Sequence, residues 1–212
     1  MKNGDYINPL QVLALLSLYM LEVRGERGPL VKSLTSSNMI YRLAEIFDVP
    51  VFETPVGFKY IGPTMIEKDA LLAGEESGGF GFRGHIPERD GILSGLFILD
   101  MMVKMDKTPS ELVEYLYSKV GPHYYRRDDI VYDPVIGASI KEKLSDITLN
   151  AIAGINIKHV DQFDGTKFVL EDGSWLAIRF SGTEPLLRIY SEAVNEDLVD
   201  KLISEARNFV GV

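Results

Sequence analysis

The sequence predicts an α/β three-layer domain with a mixed or parallel sheet, followed by an α+β domain with an antiparallel sheet. Three observations lead there. In the first half, helical stretches alternate with short, continuously apolar strands at 30–34, 51–54 and 70–73, the pattern of strands covered on both faces. In the second half, strands at 155–160, 167–170, 174–180 and 186–192 follow one another directly, with Phe163-Asp164-Gly165 and Asp172-Gly173 as turn signals between them. Helices at 140–150 and from Asn195 onward flank those strands, which suits an antiparallel sheet with its helices on one side.

The elements follow in order. Residues 1–7 read as a strand fragment with an Asn3-Gly4 turn. Asn8 caps a helix over 9–23, and Pro9 suits its first position, where no N–H partner is lost. That helix is apolar nearly all round, so it needs cover on most sides. Lying so near the start, it is expected to take part of that cover from a preceding domain. Ser36 or Ser37 caps a second helix with Met39, Ile40, Leu43, Ala44, Ile46 and Phe47 on one face. Residues 58–66 read as a short helical turn interrupted by Gly62-Pro63, and 74–90 as a loop rich in glycine and charge. A helix over 91–105 follows. Thr108-Pro109-Ser110-Glu111 is a capping box that opens another, ended by Gly121-Pro122. Residues 124–134 mix charge with tyrosine and read as a connector, in part extended, at the boundary between the domains. Asn195 caps the last helix, in which Leu198, Leu202, Ile203, Ala206 and Phe209 share one face.

Composition narrows the function. Of 212 residues, 46% are apolar and 25% charged, ordinary for a globular chain. There is no cysteine, hence no thiolate chemistry, and His85, His123 and His159 are too scattered for a zinc site. The formal charge of -9 argues against broad nucleic-acid binding. The apolar stretch 9–23 is shorter than the ~20 residues of a membrane span and is interrupted by Gln11, Ser17 and Glu22. No signal-peptide pattern is present. A cytoplasmic location fits these features.

Three loops carry candidate chemistry. Gly79-Phe80-Gly81-Phe82-Arg83-Gly84 fits the dinucleotide pattern literally, but that pattern must open a helix directly after its strand, and His85, Ile86 and Pro87 intervene. Gly74-Glu75-Glu76-Ser77-Gly78-Gly79 follows the third strand, at the edge where open α/β sheets bind ligands. Glu75 and Ser77 would face the same way on extended backbone and suit sugar hydroxyls, while a solvated acidic turn is the plainer reading. Arg179-Phe180-Ser181-Gly182-Thr183-Glu184-Pro185, with Arg188 beyond it, offers an arginine fork, two hydroxyls and an approachable backbone, suited to phosphate. The alternative there is a hairpin loop with an arginine paired to Glu184.

In this order, these loops resemble the C-terminal half of the α-D-phosphohexomutases, the phosphoglucomutase/phosphomannomutase enzymes. GEESGG at 74–79 is similar to that family's sugar-recognition loop, and RFSGTEPLLRIY at 179–190 to its phosphate-binding loop. ETPVGFKYI at 53–61 and IPERDGI at 86–92 fit as well. The resemblance implies family domains three and four, the last like the TATA-binding-protein fold. Residues 1–8 would be a remnant of a preceding metal-binding domain, 9–120 the sugar-recognition domain, 121–134 a linker and 135–212 the phosphate-binding domain. It implies that Glu75, Ser77, Lys59 and Arg89 bind the sugar, and that Arg179, Ser181, Gly182 and Thr183 hold the non-reacting phosphate with help from Arg188. The expected activity is that of an isomerase working by intramolecular phosphotransfer between hexose 1-phosphate and hexose 6-phosphate, of glucose or mannose. It would use Mg²⁺ and a hexose 1,6-bisphosphate intermediate.

The family's phosphoserine loop and its D-G-D-x-D-R metal loop have no match in these 212 residues. No catalytic or metal-binding residue is therefore expected in this chain. The start is expected to be a fragment boundary, and the chain inactive alone, its partners being hexose phosphates and the N-terminal domains in cis or in trans. The alternatives are a non-enzymatic phosphosugar-binding module and a separately encoded subunit of a split mutase.

Overall fold

The computed structural model describes residues 6–145, 147, 149–182 and 184–211. Most of the expected opening strand lies outside them. The chain divides after Gly121 into two compact units.

In the first unit, β1 (Leu30–Ser33), β2 (Val51–Thr54), β3 (Leu72–Gly74) and β4 (Phe80–Phe82) form one sheet in the order β2-β1-β3-β4. β1 pairs in parallel with β2 and β3, while β4 runs antiparallel to β3. The stretch expected as an open loop over 74–90 thus contains an edge strand. Phe80 and Phe82 alternate with a glycine, too short a run to signal a strand by itself. The dinucleotide-like glycines fall on this hairpin, with Gly81 inside β4.

α1 (Pro9–Leu18) continues through a π-helical turn to Val23. Asn8 and Gln11 form a reciprocal capping box at its start, both bonds 2.9 Å. Leu10, Leu13, Leu15, Leu16, Leu18 and Leu21 are all buried. Burial of each such side chain contributes about 1.5–3 kcal/mol. Their cover comes from α2 (Met39–Phe47), α4 (Gly91–Met105), α5 (Pro109–Val120) and β3. The expectation that α1 needs a preceding domain to cover it is therefore corrected: its own unit surrounds it.

α3 (Phe58–Glu67) lies across the sheet, with Phe58, Ile61 and Met65 packed on Val31 and Ala73. It is a continuous helix, where an interruption at Gly62-Pro63 was expected. Pro63 forfeits only the bond to the carbonyl of exposed Lys59, one turn from the helix start. Gly62 brings α3 against the segment before α4, since a Cβ there would stand 3.0 Å from the Pro87 carbonyl oxygen.

In the second unit, β5 (Tyr124–Val131), β6 (Ala151–Ile152), β7 (Ile155–Asp161), β8 (Thr166–Leu170), β9 (Trp175–Phe180) and β10 (Leu186–Ala193) form an antiparallel sheet in the order β5-β10-β9-β8-β7-β6. The expected linker over 121–134 is corrected: β5 pairs with β10 along its whole length. Its charges hid it, because an edge strand needs no apolar alternation when ion pairs occupy its side chains. α6 runs over Pro134–Ser145, starting six residues and ending five residues earlier than expected, and α7 (Glu196–Val210) is capped by Asn195 as expected. Ile140 and Leu144 of α6, with Val199, Leu202, Ile203 and Ala206 of α7, share a core with Phe168, Leu176, Ile178, Leu187 and Ile189. The alternate residues Trp175, Ala177 and Tyr190 form a separate buried cluster. The fold is thus an α/β three-layer domain followed by an α+β domain. No helix among the described residues is long and apolar enough to cross a membrane.

Candidate functional site

The first unit carries its candidate groups at the carboxyl ends of its parallel strands. After β3 the chain folds back within five residues. Glu75 N–H donates to the Gly79 carbonyl at 3.0 Å, and Gly78 N–H to the Glu75 carbonyl at 3.1 Å. This tight turn overturns the premise of extended backbone. Glu75 is buried, while Ser77 stands exposed at the tip. The two do not share a face, although both remain on one loop.

Glu75 is held by Arg89, whose Nη1 lies 3.4 Å from its Oε1. Arg89 also bonds Glu88 at 3.0 Å, and its guanidinium rests 5.6 Å from the Phe58 ring centre. The Arg89 backbone N–H, reinforced by the guanidinium, holds the Glu88 carboxyl below its ordinary value. Gly79 makes the close fit possible. A Cβ there would stand 2.3 Å from Arg89 Cδ and 2.7 Å from Glu75 Oε1, so any side chain must dislodge the pair.

Lys59 and Arg89 line one open cleft of about 610 Å³ with Gly57, Phe58, Pro63 and Glu88. Two cations thus border a single cleft, with a buried carboxylate behind one of them. The two cations suit the charge of an anionic ligand, while Glu75, buried against Arg89, stands behind the cleft lining rather than in it.

Sequence reading passed over Lys32, in the middle of an apolar run. It is fully buried at the carboxyl end of β1. Its Nζ donates to Glu53 Oε2 at 2.5 Å and to the Ser36 carbonyl at 3.2 Å, under the Tyr41 ring at 4.9 Å. The signal available was Glu53, one of the quoted motif residues, whose strand neighbour in register is Lys32.

In the second unit, the phosphate candidates surround the turn between β9 and β10. Ser181 N–H donates to the Leu186 carbonyl at 2.8 Å and closes the turn. Gly182 is exposed, with open space where a Cβ would stand. Thr183 lies outside the described residues. Arg179 and Arg188 are paired in register across β9 and β10, so both project from the same face of the sheet. Arg188, rather than Arg179, pairs with Glu184, at 3.3 Å. Arg179 Nε instead donates to Asp164 Oδ2 at 3.0 Å. Gly165 allows that contact by its backbone (φ 88°) and its closeness, since a Cβ would stand 2.7 Å from the Ile178 carbonyl oxygen and 3.1 Å from Arg179 Cβ. On the other side Arg188 Nε is 3.8 Å from Asp129, whose carboxyl is held below its ordinary value chiefly by hydrogen bonds from Arg127. Like charges directly opposite on neighbouring strands destabilise a sheet. The two outer carboxylates anchor the arginines from the sides, and the charge between them is suited to an anion.

No group of three or more histidine or acidic side chains able to hold a metal ion occurs among the described residues.

Residues 8–120 match the profile of phosphoglucomutase/phosphomannomutase α/β/α domain III, and residues 140–208 that of the family's C-terminal domain. The chain belongs to the phosphoglucomutase/phosphomannomutase family. A phosphoglucomutase/phosphomannomutase of Thermococcus kodakarensis is 31% identical, over 92% of this chain and 40% of its own length. A phosphoglucosamine/phosphogalactosamine mutase of Sulfurisphaera tokodaii is 28% identical, over 85% of this chain and 38% of its own length. A Thermus thermophilus structure described as a phosphomannomutase superposes with a TM-score of 0.78 at 34% identity, over 97% of this chain and 41% of its own. The chain thus spans about two-fifths of the length of these relatives and corresponds to their C-terminal part.

Proposed function

We propose that this chain is the substrate-binding half of a phosphohexomutase that interconverts hexose 1-phosphate and hexose 6-phosphate through a bisphosphorylated intermediate. The registered pair Arg179 and Arg188 carries the reading. Two arginines held side by side, each braced by a carboxylate on its far side, make a grip for a dianionic phosphate. The cleft bordered by Lys59 and Arg89, with Glu75 behind, supplies the complementary sugar-binding chemistry. Ser77, at the exposed tip of its turn, reaches the sugar only if the ligand extends over the turn. In the whole enzyme the phosphoryl donor and the Mg²⁺ ligands would come from outside these 212 residues, and this chain's task is to bind and orient the sugar phosphate.

Two measurements test the reading. Glu75→Gln replaces a carboxylate that accepts hydroxyl bonds with an amide that keeps one acceptor. Hexose 6-phosphate binding is expected to weaken about fivefold to tenfold, in line with ~1 kcal/mol for a hydrogen bond, while inorganic phosphate binding stays unchanged. Equal loss for both ligands would remove Glu75 as a sugar reader. The purified chain should also give no turnover of glucose 1-phosphate with Mg²⁺ and glucose 1,6-bisphosphate. Turnover that follows the chain through purification and disappears in Arg179→Ala would overturn the half-enzyme reading.

A further inference from the structure

The second unit holds a cavity that the phosphate candidates do not use. It lies on the helix-covered side of the sheet. Ile152, Phe168, Leu176 and Ile178 of the strands wall it, with Ala206 and Phe209 of α7 opposite. Side chains alternate along a strand, so Ile178 and Arg179 belong to opposite faces of β9. The cavity measures about 290 Å³. An apolar cavity of ~150 Å³ stays dry and takes up one benzene, so this one has space for roughly two fused rings. Protein interiors hold few voids larger than a water molecule. This void reaches the surface, since Ala151, Glu205 and Asn208 at its rim are all exposed.

Glu205 and Asn208 are the polar members of an otherwise apolar lining. Glu205 is fixed by one oxygen: its Oε2 accepts from the Ala153 N–H at 2.7 Å, in the turn between β6 and β7. Its other oxygen and the Asn208 side-chain amide have no hydrogen-bond partner among the described residues. Lys143 of α6 donates to the Phe209 carbonyl at 3.3 Å and does not line the cavity. A carboxylate held at the mouth of an apolar chamber is complementary to a cation carried on an apolar body.

We propose that this cavity binds a small aromatic or aliphatic amine. The apolar body lies between α7 and strands β6, β8 and β9, and the ammonium donates to Glu205 and to the Asn208 amide oxygen. A neutral molecule of the same size gains the burial without the charge-assisted hydrogen bond. An anion meets the carboxylate and is rejected. The site needs no sugar phosphate, because its residues and those of the phosphate candidates lie on opposite faces of the sheet.

Isoleucine methyl NMR on the whole chain tests this, with 1-naphthylmethylamine as the probe and 1-naphthylmethanol as its neutral counterpart. The amine should shift the Ile152 and Ile178 methyls saturably and leave Ile46 and Ile66 of the first unit unmoved. It should bind about fivefold more tightly than the alcohol, a modest ratio because the rim is exposed. Glu205→Gln keeps an acceptor for Ala153 and should erase that preference. Ala151→Trp, at an exposed position on an edge strand, fills the mouth and should weaken both probes about tenfold, since their apolar bodies lose their burial. Silence of the Ile152 and Ile178 methyls at ~1 mM amine overturns the site. So does undiminished affinity in Ala151→Trp, which would place the probe elsewhere. An amine preference that survives Glu205→Gln overturns the assignment of a cationic ligand.

Discussion

Arg179→Ala is expected to weaken binding of inorganic phosphate and of hexose 6-phosphate alike, by about tenfold to a hundredfold. A hydrogen bond from a charged donor contributes about 1.5–3 kcal/mol. Its effect on folding should be much smaller. The substitution costs the 3.0 Å bond to Asp164, which sits in a partly exposed turn, and it also removes the repulsion from Arg188 across the strands. The two contributions to stability oppose each other, whereas both ligands lose the same contact. Arg179→Lys should recover only part of the affinity, because an ammonium cannot engage phosphate and Asp164 with a planar fork. Calorimetric titration of both ligands, paired with thermal melts, separates the roles. Unchanged affinity with a lowered melting temperature would make Arg179 a structural residue and leave the phosphate grip without its main member.

Much of this architecture was legible because the sequence states it locally. Caps at Asn8, Thr108 and Asn195 fix three helix starts, and Phe163-Asp164-Gly165 and Asp172-Gly173 fix the turns that separate β7, β8 and β9. What stayed hidden was set by partners distant in the chain. β5 looks like a charged connector until β10 lies beside it, when Arg188 meets Asp129 and Ile189 meets Asp128 in register. β4 is three residues long and exists because β3 offers it an edge. At the site, residue types were readable but directions were not. The turn over 75–79 buries Glu75 and exposes Ser77, because two backbone hydrogen bonds close it more tightly than an extended strand allows. Arg179 and Arg188 were both named from the sequence, yet only the register of β9 with β10 shows that they stand side by side, and only Gly165 explains how Asp164 reaches the first of them.

Glu53→Ala is the substitution expected to cost the most stability. It leaves the Lys32 ammonium, fully buried, with two backbone carbonyls and an aromatic face but no counter-charge. Removing one partner of a buried ion pair typically costs about 3–5 kcal/mol, because the remaining charge stays desolvated. That is a large share of the ~5–15 kcal/mol by which a domain is stable. Glu53→Gln should cost less, since the amide oxygen still accepts from Lys32 and Tyr41. Replacing the pair together, Lys32→Met with Glu53→Leu, should recover much of the loss, because no charge then remains to be solvated. The chain's single tryptophan, Trp175, is buried in the second unit, so its fluorescence reports that unit while far-UV circular dichroism reports both. In urea, Glu53→Ala should lower the midpoint of the first unit's dichroism transition and leave the Trp175 transition in place. If the double variant is less stable than Glu53→Ala, the pair supports the fold through specific hydrogen bonds to Ser36 and Tyr41 rather than by neutralising each other's charge.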